Sequence, residues 1–395
     1  MRTEEIPKEW EKVTIENTCD ILDSKRIPLN SEERYSMKGR IPYYGANGIV
    51  DYINDYLFDD DLLLVAEDGG HFDEFYYRPI AYRISGKAWV NNHAHVLKVK
   101  DSYCLDFIFY SLEHKNIIPI IQGGTRSKLN QSELRTIPIF CPKSIKVQEK
   151  IAAILQSVDT TIVKTKGIIE KYQMMKQGMI HDLFLKGISK DGSLRSKDVN
   201  LFNSSPIGYI PVEWDVNVIE SLASITTGNK DTQDRVLNGE YPFFVRSQTI
   251  ERINSYSYDC EGILTAGDGV GVGKVFHYFN GKFDFHQRVY LIHNFKPKID
   301  GKFMFYHFKN KFIDEVSKYS AKTTVDSVRY HMIANMNIPV PNDIHEQEHI
   351  VRILSSLDEK IESEQSNLEK LIKLKSGLMH DLLTGRVPVK VKEAG

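Results

Sequence analysis

The chain has 395 residues, 41% of them hydrophobic and 26% charged, which is room for two or three domains of ordinary globular composition. Its formal net charge of −2 argues against a protein that coats nucleic acid electrostatically, but is compatible with a sequence reader whose base-contacting face is small. No apolar run reaches membrane-span length and MRTEEIPKEW is neither a signal nor a transit peptide, so the expected location is cytoplasmic; Cys19, Cys104, Cys141 and Cys260 form no Cys-x-x-Cys pair and read as reduced thiols.

Residues 1–146 read as a mixed α and β segment that opens on Ile6-Pro7-Lys8-Glu9-Trp10. Within it Leu62-Leu63-Leu64-Val65-Ala66 is a buried strand ending at the turn Glu67-Asp68-Gly69-Gly70, and His95-Val96-Leu97-Lys98-Val99 alternates as a half-buried strand does. A helix is expected from Leu105 to Leu112, then the loop from Gln122 to Asn130 and a short strand at Ile137-Pro138-Ile139. A long helix over 147–186 and a polar, turn-rich linker over 187–205 follow. Residues 206–344 repeat the order. Ile210-Pro211-Val212-Glu213-Trp214 comes first, then strands at Ile263–Ala266 and Val289–Ile292, a helix over 302–308, and a closing strand at Ile338-Pro339-Val340. A second long helix over 345–386 and a tail over 387–395 complete the chain. Each Ile-Pro-x-Glu-Trp stands about 140 residues before its helix, a period too long for a solenoid and suited to a duplicated module.

The long stretches starting at Gln148 and Gln347 align without a gap, through to His181-Asp182-Leu183 and His380-Asp381-Leu382. At alternating four- and three-residue steps the first copy places Ile151, Leu155, Val158, Ile162, Thr165, Ile169, Tyr172, Lys176, Met179 and Leu183. The second places Ile350, Leu354, Leu357, Ile361, Glu364, Leu368, Leu371, Lys375, Leu378 and Leu382. A mean step of 3.5 is a coiled-coil seam, and the matched polar breaks at Thr165 and Glu364 and at Lys176 and Lys375 suggest that the two helices pack on each other. The other reading is two surface helices, each covering its own domain.

Catalytic motifs are sparse. In Gly267-Asp268-Gly269-Val270-Gly271-Val272-Gly273-Lys274, Asp268 replaces the first glycine of a phosphate loop and Val275 replaces its hydroxyl residue, so a glycine-rich strand-turn-strand is expected. Asn92-His93-Ala94-His95 lacks partners at metal-ligand spacing. Asp101, Glu113 and Lys115 loosely fit a metal-dependent nuclease, which leaves a stand-alone nuclease as one alternative and a protein-binding coiled-coil scaffold as another. The recurrent His181-Asp182 and His380-Asp381 are assigned to helix packing or partner contact.

The better candidates are binding loops, in which arginine and amide side chains suit base edges while lysines, hydroxyls and backbone amides suit phosphates. In the first module these are Tyr43, Tyr44, Asn47, Gly69, Gly70, His93, Gly124, Thr125, Arg126 and Lys128. The second offers Arg246, Ser247, Gln248, Gly269, Lys274, Gln287, Arg288, Lys322, Thr323 and Thr324. Like scaffolds with unlike loops should bind unlike targets.

Taken together, Ile-Pro-x-Glu-Trp opening each half, Tyr43-Tyr44-Gly45-Ala46-Asn47-Gly48, the Asp-Gly turns at 68 and 268, Gly123-Gly124-Thr125-Arg126, and the Gln-Glu and His-Asp-Leu that bracket each helix resemble the specificity subunit of type I restriction-modification systems. One departure is Lys146-Val147 before the first helix, where the family usually carries a proline-rich lead and an acidic residue. The resemblance implies an α+β fold of two target recognition domains separated by two long antiparallel coiled-coil helices, with internal pseudo-twofold duplication. It implies that each domain reads one half of a bipartite, asymmetric site in double-stranded DNA. The helices would set the spacer and dock two modification (methyltransferase) subunits, and restriction subunits would join that core. It implies no catalytic residue, metal or cofactor on this chain; S-adenosylmethionine, ATP and magnesium are expected on the partner subunits.

Overall fold

The computed structural model describes residues 7–121, 128–196, 201–319 and 327–391. The chain forms two compact units, Met1–Lys166 with Ser366–Gly395, and Gly167–Gln365. Each unit is one globular segment completed by part of both long helices, Ile145–Lys186 and Ile344–Leu383.

The first unit holds strands β1 (Trp10–Thr14), β2 (Cys19–Ile21), β3 (Lys38–Gly45), β4 (Gly48–Ile53), β5 (Phe58–Asp59), β6 (Leu62–Ala66), β7 (Ala81–Ile84), β8 (Lys87–Val90), β9 (Ala94–Val99) and β10 (Pro138–Pro142). They make sheets of order β2-β9-β6-β7 and β4-β3-β8-β5, with β1 paired antiparallel to β10. The continuous apolar run of β6 is explained by its two neighbours. Alternate side chains of a strand face opposite ways: Leu63 and Val65 enter the core beneath the helix Leu105–Glu113, whereas Leu62 and Leu64 enter a second cluster with Phe58, Val90 and Val96.

In the second unit β11 (Phe202–Ser205) and β12 (Gly208–Pro211) form a hairpin, so an ordered element spans the boundary between 205 and 206. Strands β13 (Trp214–Val218), β14 (Ser224–Thr227), β15 (Tyr241–Phe244), β16 (Glu251–Ile253), β17 (Tyr258–Ala266), β18 (Phe276–Phe285), β19 (Val289–His293) and β20 (Asn337–Pro341) follow. One sheet of order β14-β19-β17-β18-β15-β16 replaces the two of the first unit, and β13 pairs with β20 as β1 does with β10. In both units one pairing is parallel, β3 with β8 and β15 with β18. Gly269–Gly271 is a single 3₁₀ turn between β17 and β18, the strand-turn-strand expected of that glycine-rich string.

The helices are seated by repeated contacts. Gln148 is 1% exposed; its Oε1 accepts from the Cys104 amide at 2.8 Å and its Nε2 donates to the Pro142 carbonyl at 2.8 Å. Gln347 repeats this, accepting from the Asp300 amide at 2.8 Å and donating to the Pro341 carbonyl at 2.9 Å. Each glutamine thus ties the closing strand to the start of the globular helix.

Seam side chains are buried or half-buried throughout. In the first unit Ile151 and Leu155 share a core with Leu382, flanked by Leu378; in the second Leu183 joins Ile350 and Leu354, flanked by Met179. Rising numbers on one helix meet falling numbers on the other, so the pairing within each unit is antiparallel. Both lysine breaks are accounted for. Lys375 Nζ lies 2.8 Å from Asp159 and 2.9 Å from Glu113, while the Tyr110 hydroxyl donates to Asp159 at 2.8 Å. In the second unit Lys176 bonds to Asp358, which accepts from the Tyr306 hydroxyl at 2.7 Å. Thr165 is buried at 4% exposure.

The glycine after each helix is required by both conformation and space. Gly187 has φ +66° and a Cβ there would lie 2.5 Å from the Trp214 ring; Gly385 has φ +73° and a Cβ would lie 3.0 Å from the Trp10 ring. The Trp of each Ile-Pro-x-Glu-Trp therefore closes over the end of the long helix from the other half of the sequence. Among the described residues, no helix is long and apolar enough to cross a membrane.

Candidate nucleic-acid interface

In the first unit several turns converge on Asp68-Gly69-Gly70. Gly69 adopts φ +63°, and a Cβ on Gly70 would meet that of Ala66 at 2.7 Å, so backbone conformation at the first position and space at the second favour glycine. Asn47 Nδ2 donates to the Gly69 carbonyl at 3.0 Å, which joins the β3–β4 turn to it. Asp68 meets His93 Nδ1 at 2.5 Å, Lys128 Nζ lies 3.1 Å from Glu67, and the Leu129 amide donates to the Glu67 carbonyl at 2.7 Å. The exposed members of the group are Asn47, Gly69, His93 and Lys128.

Beneath this face His95, Asp23 and Glu67 bring their ligand-competent atoms within 4.8 Å of one another, the one such group among the described residues. It is already saturated. Arg26 lies 2.6 Å from Glu67, His95 Nδ1 meets Asp23 at 2.7 Å, and His95 Nε2 faces the Leu129 carbonyl at 2.8 Å. Burial would raise the Asp23 carboxyl, but the His95 and Val96 hydrogen bonds and Arg26 hold it below its ordinary range. The group buttresses the turn and is not built for a metal.

The loop expected at Tyr43-Tyr44 is instead the end of β3, and strand alternation turns Tyr43 inward. Tyr43 is 1% exposed, packs with Ile53 and Trp89, and its hydroxyl accepts from the Leu29 amide at 3.0 Å. Tyr44 is half-buried with its ring 5.9 Å from that of Tyr82. Gly124, Thr125 and Arg126 lie outside the described residues.

The second unit uses the same turn with different side chains. Arg246 and Arg288 each place Nη1 2.7 Å from one oxygen of Asp268. Burial alone would raise this carboxyl; the two guanidinium groups hold it below its ordinary range. The Val328 amide donates to the Gly267 carbonyl at 2.7 Å, as Leu129 does to Glu67. Gln248 Nε2 donates to the Lys274 carbonyl at 2.5 Å, His277 Nε2 meets the Ser247 carbonyl at 3.0 Å, and Gln287 donates to Asp231 at 2.9 Å. Arg246, Ser247, Gln248, Gly269, Lys274, Gln287 and Arg288 are all exposed. Lys322, Thr323 and Thr324 lie outside the described residues.

A shallow concavity here is lined by Thr227, Asp268, Gln287, Arg288, Tyr290 and Arg329. Asp231 and Arg329 were not among the sequence candidates, and Asp268 lay in the candidate loop Gly267-Asp268-Gly269 without a role of its own. The sequence signal for Asp268 was the recurrence of Asp-Gly in both halves; that it aims Arg246 and Arg288 is visible only in the structure. Two guanidinium groups braced on one carboxylate are preorganised donors, the arrangement that suits guanine edges and phosphates. As for the nuclease alternative, Glu113 is committed to Lys375, and Asp101 does not join the acidic group identified above.

The description "Type I restriction modification DNA specificity domain" matches twice, at residues 7–172 and 211–374. The type I restriction enzyme MjaVIII specificity subunit of Methanocaldococcus jannaschii is 24% identical over 98% of this chain and 94% of its own length. Other relatives match in part. A type I restriction enzyme specificity subunit sequence of Haemophilus influenzae is 37% identical over 38% of this chain and 37% of its own, and the EcoDI specificity subunit of Escherichia coli is 27% identical over 45% and 38%. The crystal structure of a type I restriction-modification S subunit from M. genitalium superposes with a TM-score of 0.69 at 15% identity, covering 97% of this chain and 98% of that one, a likeness of fold. With a match in each half, together spanning well over half of the chain, the protein belongs to the type I restriction-modification DNA specificity family.

Proposed function

We propose that this chain is the non-catalytic, sequence-specific DNA-binding subunit of a cytoplasmic type I restriction-modification complex. Each recognition domain reads one half of a bipartite, asymmetric site. The two long helices fix the distance between half-sites and dock two modification subunits, with restriction subunits joining that core. The methyltransferase and motor chemistry, with its S-adenosylmethionine, ATP and magnesium, belongs to those partners. One observation carries the reading: the same Asp-Gly turn presents His93 and Lys128 in one unit and Arg246 and Arg288 in the other. One scaffold with two dissimilar donor sets is what an asymmetric target requires. In the first domain Asn47, Gly69, Gly70, His93, Gly124, Thr125, Arg126 and Lys128 are assigned to DNA. Their counterparts are Arg246, Ser247, Gln248, Gly269, Lys274, Gln287, Arg288, Lys322, Thr323 and Thr324.

The test is to co-express the chain with its modification subunit and map methylated adenines across a genome at single-base resolution. The expected result is a split motif, one half of which changes when residues 206–344 are exchanged for those of a relative. A stable complex that methylates without any motif would refute the reading.

A further inference from the structure

The internal duplication extends to a surface feature that the DNA face does not use. In the first unit a hollow of about 320 Å³ lies between the helix Leu105–Glu113 with its following turn and the end of the second long helix. Its long-helix wall is Ile372, Lys375, Ser376, Met379, His380 and Leu383. In the gapless alignment these correspond to Gln173, Lys176, Gln177, Ile180, His181 and Phe184, and all six line two hollows of the second unit, each about 430 Å³. The opposite wall repeats too. Tyr110, Ser111, His114 and Lys115 in the first groove correspond to Tyr306, His307, Asn310 and Lys311 in the second. The recurrent His181 and His380, which helix packing leaves exposed, thus occupy the same place in the two grooves.

Each groove combines an apolar floor with one ammonium group that forms no ion pair among the described residues. Met379, Leu383 and Ile372 offer apolar surface in one, Ile180, Phe184 and Leu185 in the other. Among the described residues Lys115 and Lys309 form no ion pair; they stand at different places in the repeat, since Lys309 matches Glu113 and Lys115 matches Lys311, which pairs with Asp314. Burial pulls Lys115 below its ordinary range, and burial with the nearby Lys176 does the same to Lys309. The acidic groups of the grooves are already engaged, Glu113 and Asp159 by Lys375, Asp358 by Lys176, Asp314 by Lys311 and Glu315 by Lys318. A partner that brings carboxylates beside apolar side chains would complement both features, whereas a phosphate backbone would leave the apolar floor uncovered.

We propose that these two grooves are a matched pair of docking sites, each receiving an acidic, amphipathic segment of one modification subunit. The proposal rests on the function proposed above and adds the location and chemistry of the contact. Identical partners need equivalent sites, and the duplication supplies two.

The test measures partner stoichiometry by native mass spectrometry of the co-expressed complex, with titration of the purified chain by the modification subunit. Wild type should hold two copies. Lys115→Glu should weaken one copy about tenfold or more, Lys309→Glu the other, and the double variant both, since reversing a desolvated interfacial charge acts mainly on dissociation. Lys115→Met and Lys309→Met, which keep the stem, should have the same direction with a smaller effect, and unchanged melting curves exclude misfolding. Two copies retained by the double variant would overturn the proposal while leaving the functional reading intact. So would variants that lose DNA affinity without losing a partner, which would make the grooves phosphate sites. Absence of any complex between wild type and the modification subunit would instead remove the functional reading, and the proposal with it.

Discussion

Lys375 and Lys176 occupy the same place in the repeat, yet their removal should be unequal. Lys375 bridges Glu113 and Asp159, with side-chain exposures of 13%, 11% and 26% for the three groups. Lys375→Met leaves two facing carboxylates with little water, and stranding buried charge in this way costs about 3 kcal/mol. Lys176 faces Asp358 alone, a carboxylate 35% exposed, so Lys176→Met should cost about 1 kcal/mol. Urea unfolding of the full chain, followed by circular dichroism, would register the first loss as a midpoint shift of roughly 1 M and the second as a small fraction of it. Adding Glu113→Gln to Lys375→Met should recover part of the loss by removing one of the two charges. Equal shifts for the two lysine variants, or no recovery in the double variant, would refute this account of the seam.

Leu155 is fully buried in the first core, so Leu155→Asp should cost several kcal/mol and abolish the ordered first unit, whereas Leu368→Asp at a half-buried seam position should cost less; thermal melts rank the two. His307, enclosed against Phe184, has its pKa driven down by burial to about 3, so the unfolded chain takes up a proton that the folded one refuses. Stability should therefore fall as pH drops from about 6.5 towards 3, by up to about 1.4 kcal/mol per pH unit from this group, and His307→Phe should flatten that limb in denaturant titrations at successive pH values. Arg288→Ala should cost about 1–3 kcal/mol of discrimination at a single base pair of one half-site. Methylome mapping that shows an unchanged motif, or altered letters in the other half-site, would count against the assignment of this loop.

The duplication was legible because helix seams leave a periodic trace, and Ile-Pro-x-Glu-Trp, Gln-Glu and His-Asp-Leu each recur at matched offsets. The matched lysine breaks announced a helix pair, but not their partners. Asp159 and Asp358 are off the seam, and which carboxylate a lysine reaches depends on how the chains cross. Tyr43 was read as a loop residue because Gly45 and Gly48 dominate its surroundings, although β-strand alternation through Ile41, Tyr43 and Gly45 decides its direction. Arg246 and Arg288 were found by composition alone. Their common tether, Asp268, is a fact of three-dimensional turn geometry that neither spacing nor propensity encodes.

The interleaving of the two units has a consequence for biosynthesis. The Trp10 ring is covered by Gly385, and the Glu113 and Asp159 pair is bridged by Lys375, all within the first unit. On the ribosome, the roughly 240 residues between Pro142 and Gly385 take on the order of ten to fifty seconds to make. During that interval the first module stands with its two acidic side chains facing each other and an indole uncovered. The second module meets no such delay, because Gly187 and Lys176 precede Trp214 and Asp358 in the chain. The half translated first is therefore the half completed last, and a stop codon after Gln365 in the final helix would cripple the N-terminal reader rather than the C-terminal one.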